Sequence, residues 1–203
     1  MGNCIRILGT LDPDIHINDL VESLTAAGIS AGIDFDLSES PSQWTILEIS
    51  NENGELLAQL EREPVSEQSE GEKEIRYLKE IIDGRKPASA VKWLIKYFEN
   101  VKVVYTFRLL DIAYDEENLE IIAIIKNCIW EKAGGILQAD NEGFTNEEGY
   151  YILWQFPDEV SGECNCAIES KPGVWETFKI DLDDAIQRQE FKSGEVPRNS
   201  EPI

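Results

Sequence analysis

Apolar positions change period several times along the first third of the chain. Asn3 to Leu8 is a short apolar run and reads as a strand. Leu20, Val21, Leu24 and Ala27 then recur at helical spacing, with Asn18 placed to cap the helix and Gly28 to end it. Ile29 to Pro41 reads as a loop or short strand. Gln43 to Ser50 carries Trp44, Thr45 and Ile46 and reads as a strand. Asn53-Gly54 suits a type I′ hairpin turn, and Glu55 to Glu63 pairs back. The charged end Glu61-Arg62-Glu63-Pro64 suits an edge strand.

The middle of the chain is helical. Ile75, Leu78 and Ile82 lie on one face of a helix over 72–83. A second helix over 88–100 has Val91, Leu94, Ile95 and Phe98 as its core stripe, with Trp93 and Tyr97 on its flanks. A strand over 102–110 follows, then an acidic helix start at Asp115-Glu116-Glu117, an apolar helix from Leu119 to Trp130 and a Gly134-Gly135 stop. Strands over 136–140 and 150–156 flank a glycine-marked turn. After Pro157, Cys164 to Glu169 and Val174 to Ile180 form a hairpin. Asp181 or Asp183 caps a last helix ending near Phe191.

This order predicts an α+β fold of antiparallel sheet with helices packed on one face. Residues 1–191 read as one domain. Two βαββ-like units, 3–63 and 101–157, are joined by helices over 72–100, and a hairpin and helix over 163–191 follow. Residues 192–203 read as a flexible tail.

Charge narrows the function classes. The chain has 203 residues, 40 acidic against 18 basic, and a net charge of −22. Nucleic-acid binding needs clustered Lys and Arg, so that class is disfavoured, as is an anionic membrane surface. A basic protein partner fits the charge instead. No run has the length of a membrane span. The N-terminus lacks an apolar signal region, and Arg6 stands where a myristoylation pattern wants Ser or Thr. These readings predict a cytoplasmic protein.

Catalytic signatures are sparse. None of the nucleotide-binding glycine loops or the G-x-S-x-G elbow is present. His16 is the one histidine and reads as a residue leading into the first helix. Cys4 and Cys128 read as buried free thiols. Cys164 and Cys166 are close enough in sequence to share a metal, but a closed zinc site needs four ligands. Asp140 to Asn146 resembles a calcium loop superficially. Thr145 and Tyr151 stand where that loop wants Gly and Glu, so it reads as a turn. No cofactor is called for.

Two acidic groups remain as candidate contact residues for a protein partner. Asp115, Glu116 and Glu117 start a helix, where carboxylates also favour the dipole. Asp140, Glu142, Glu147 and Glu148 cluster in the long turn of the second unit. Trp130, Phe144, Tyr150 and Trp154 are candidate aromatic anchors. Phe144 is the one expected to be exposed, because it sits in the turn.

The segment Gly134 to Gly149 resembles a motif of small bacterial proteins, some of the immunity type found in polymorphic toxin systems. A Gly-Gly pair leads into a strand, then an acidic turn with glycine and an aromatic, then a strand. The resemblance implies a stoichiometric binder of a toxin domain with no catalysis, and it assigns no binding residue. The alternative class is an enzyme or small-molecule binder with a pocket between sheet and helices, holding His16 or converging carboxylates.

Overall fold

The structure, a computed structural model, describes residues 3–203. Met1 and Gly2, part of the N-terminal readings above, lie outside the described residues. The chain divides into two compact units. One comprises 3–73 and 101–135, the other 74–100 and 136–203. Helices and largely antiparallel strands together make the fold α+β. Among the described residues no helix is long and apolar enough to cross a membrane.

The first unit holds strands β1 (Cys4–Gly9), β2 (Gly32–Phe35), β3 (Ile46–Ser50), β4 (Leu56–Pro64) and β5 (Val103–Leu109). They pair antiparallel in the order β2-β3-β4-β5-β1. The repeat seen in the sequence would place β5 with the strands that follow it. Instead it lies between β1 and β4. Val103 to Phe107 are all buried, and a strand so apolar on both faces belongs inside a sheet, not at its edge.

Strand β4 is also interior, flanked by β3 and β5, so the edge reading of its charged end is corrected. The charges there are matched. Arg62 Nη2 lies 2.6 Å from Asp12 Oδ1, and the Arg108 guanidinium grips both oxygens of Glu61 at 2.9 and 2.8 Å. Pro64 is the last residue of the strand, where its missing N–H disturbs least.

The β3–β4 turn differs from a type I′ turn, because of Asn53-Gly54 only Gly54 has a positive φ. Asn51 organises the turn through its side chain, whose Oδ1 accepts from the N–H groups of Asn53 and Glu55 at 3.1 and 3.0 Å.

Helix α1 (Ile17–Ala26) begins two residues earlier than an Asn18 cap would allow. His16 is the cap. Its Nδ1 accepts from the Asn18 N–H at 3.1 Å, and its own N–H donates to Asp19 Oδ2 at 3.3 Å, which closes a capping box. A 3-10 turn, Asp111–Tyr114, leads from β5 towards helix α4 (Glu116–Ala133). Helices α1 and α4 pack on each other. Trp44 is fully buried in this unit, and its Nε1 donates to the Ile15 carbonyl at 2.9 Å beside the Tyr105 ring.

The second unit takes most of helix α2 (Glu70–Ile82), helix α3 (Ala88–Tyr97), strands β6 (Ile136–Ala139), β7 (Gly143–Thr145), β8 (Tyr151–Trp154), β9 (Glu163–Lys171) and β10 (Val174–Asp181), helix α5 (Ala185–Ser193) and strand β11 (Glu201–Pro202). Its strands follow chain order, antiparallel except for β8 and β9, which run parallel.

Ile75, Leu78 and Ile82 are buried, as the α2 period predicts. The buried stripe of α3 is rotated from the predicted one. Ala90, Leu94 and Tyr97 face inward while Ile95 is exposed, and Trp93 stacks on Tyr97 and meets Trp175 edge-on. Asp184, not Asp181 or Asp183, caps α5 through the N–H groups of Ile186 and Gln187. The polar C-terminus is not a free tail in its last residues. There β11 pairs with β10, and Ile203 N–H donates to the Thr177 carbonyl.

Candidate functional site

The acids singled out in the sequence fall in both units, and each group has its own geometry. In the first unit, Asp115 is the N-cap residue of α4 but its side chain makes no capping bond. Asp115, Glu116 and Glu117 are all exposed and form no ion pair with any described residue. The helix start is held from below. Asn118 is buried and its Nδ2 donates to the Ile112 carbonyl at 2.9 Å, tying the first turn of α4 to the 3-10 turn. Leu110 N–H donates to the Leu57 carbonyl at 2.9 Å, tying that turn to β4.

This bracing displays four apolar side chains that the sequence reading passed over. Leu56, Leu110, Tyr114 and Leu119 are exposed around the carboxylates, with Tyr114 at 45%. Beside them lies a cleft of about 260 Å³. Glu52, Glu117 and Glu120 supply its carboxylates, while Ile29 and Ile121 supply apolar wall. The surface therefore combines fixed negative charge with an aromatic and three aliphatic contacts. It suits a cationic side chain with an apolar stem, as Lys and Arg have.

In the second unit the acidic turn is more deeply woven into the fold. Phe144, expected in an exposed turn, is fully buried in β7, where it tilts against Phe98. The turn contains a strand, because residues 143–145 pair with β6 on one side and β8 on the other. Phe144 is thus a core residue and not a docking anchor. Trp154 is also core, 5% exposed, with Phe156 and Phe191 around it. Tyr150 is half-buried, as is Trp130 on α4 of the first unit.

Two of the four acids in this turn serve phenols. Glu142 accepts from the Tyr151 hydroxyl, and Glu147 accepts from the Tyr97 hydroxyl at 2.8 Å. Burial foremost, and then the adjacent carboxylate, pushes both phenols well above their ordinary range. Asp140 accepts from Gln138 Nε2 at 3.2 Å. Glu148 remains exposed, its N–H bonded to Asn146 Oδ1 in a side-chain-closed turn. Asn146 is buried and holds the Tyr150 N–H as well.

No family model, curated protein or solved structure matches this chain. The site is therefore read from its own chemistry. His16, the base that a catalytic reading would need, spends its Nδ1 on the α1 cap. The Asp115–Glu117 group and its apolar rim present charge to solvent, whereas the Asp140–Glu148 group mainly bonds to its own unit.

Proposed function

We propose that this protein is a non-catalytic, acidic binding protein whose surface at the start of α4 docks a basic protein partner, in the manner of an immunity protein that neutralises its toxin by stoichiometric binding. One observation carries the reading. Asp115, Glu116 and Glu117 stand exposed and unpaired among the described residues, next to exposed Leu110, Tyr114 and Leu119. Charge of one sign around apolar anchors is the arrangement that gives fast association and a desolvated centre.

The net charge of −22 supports the sign of the partner. The exposed carboxylates set orientation and on-rate, and Tyr114 with the leucines supplies buried area. Affinity for a basic partner measured across a salt series tests the proposal. Affinity falls steeply with salt if it holds, and stays flat if the contact is apolar alone.

A further inference from the structure

The docking surface leaves one chemically distinctive pair unused. Cys164 and Cys166 lie two apart on β9, so their side chains share one face of the strand. Both are buried and free, in the core formed with Trp154, Phe178, Ile180 and Phe191. Their sulfurs are 3.7 Å apart, with the Cys166 thiol donating to Cys164 Sγ.

The pair is asymmetric. Cys164 lines an open cleft of about 380 Å³ with Tyr151, Phe156 and Ser161. Cys166 is 1% exposed and is not part of the cleft wall. The hydrogen bond to Cys164, and then burial, hold the Cys166 thiol well above its usual range.

We propose that Cys164 and Cys166 form a redox modification site, in which a peroxide oxidises Cys164 and Cys166 then closes an intramolecular disulfide. In the first step the Cys164 sulfur takes one oxygen from hydrogen peroxide, the O–O bond breaks and water leaves. In the second, the Cys166 sulfur attacks the sulfenic sulfur of Cys164. The S–S bond forms, the S–O bond breaks, and the Cys166 proton leaves with the hydroxyl as a second water. Two thiols are oxidised and one peroxide is reduced.

Closure acts on a single joint. Alternate residues of a strand have Cα atoms about 6.6 Å apart, at the long end of what a disulfide spans, so closing the bond shortens β9 locally. Cys166 is the residue that pairs with Tyr151 in the parallel bridge between β8 and β9. Oxidation therefore loosens the pairing of those two strands.

The test uses the full chain, treated with dilute hydrogen peroxide, alkylated and mapped by mass spectrometry. The expected product has lost two hydrogens, carries Cys164 and Cys166 linked in one peptide, and returns to the dithiol on reduction with dithiothreitol. The Cys166→Ser variant is expected to stop at a sulfenic acid on Cys164 that dimedone traps. Should that variant not fold, the wild-type map decides alone. Higher oxides on Cys164 without a link to Cys166, or reaction confined to half-buried Cys128, would overturn the proposal.

Discussion

The Tyr97 hydroxyl donates to Glu147 at 2.8 Å, joining the last residue of α3 to the acidic turn after β7. Glu147 is thus committed to its own fold, although sequence alone places it with the candidate contact residues. Tyr97→Phe removes the donor and is expected to cost about 1 kcal/mol, read from denaturant unfolding, because Glu147 can turn to water. An unchanged midpoint would mean that the bond adds nothing.

The same phenol predicts a pH dependence. Burial foremost, then Glu147, raises Tyr97 above its ordinary value of 10.0. The folded state therefore keeps a proton that the unfolded state loses. The stability from this group is complete below the unfolded value and is progressively lost as pH rises past it towards the raised folded value. Tyr151 acts in the same direction. Unfolding followed between about pH 8 and about pH 11 should show stability falling above about pH 10, less steeply in Tyr97→Phe.

Phe144 and Glu148 are neighbours in sequence with opposite roles. Phe144→Ala empties a fully buried position and is expected to cost about 3–5 kcal/mol. Glu148→Ala changes an exposed side chain and should stay within about 0.5 kcal/mol. Gly143, beside Phe144, has φ +135°, and an added Cβ would stand 1.9 Å from the Leu153 carbonyl oxygen. Gly143→Ala is expected to cost at least about 2 kcal/mol, seen as a drop in Tm.

These contrasts show what the sequence held. Regular elements were legible where one period ran for several residues: Ile75, Leu78 and Ile82 on α2, or the alternation of β10. Misreadings came from pairing across sequence distance. Nothing local marks the three-residue strand β7, so Phe144 looked like an exposed turn aromatic. Nothing local places β5 between β1 and β4, although its unbroken apolar run was the available signal. His16 took the cap from Asn18 because an imidazole nitrogen can accept the same backbone bond. Tyr114 and Leu110 were passed over because exposure depends on how the 3-10 turn is braced by Leu57 and Asn118.

On the proposed docking surface, charge and area should separate kinetically. Glu116→Gln with Glu117→Gln is expected to slow association with a basic partner several-fold while the off-rate changes little. The fold should lose under about 1 kcal/mol, since two carboxylates leave the first turn of α4. Tyr114→Ala should instead speed dissociation and weaken binding about tenfold or more. Surface plasmon resonance of each variant distinguishes the two contributions.

The most direct measurement compares wild-type protein with a Glu116→Gln, Glu117→Gln, Tyr114→Ala variant as bait, at low and high salt, with captured proteins identified and the binding of each purified candidate titrated. The account predicts a basic protein that binds the wild type with one-to-one stoichiometry, weakens as salt rises, and is lost to the variant. A partner that binds both baits equally and ignores salt would contradict it.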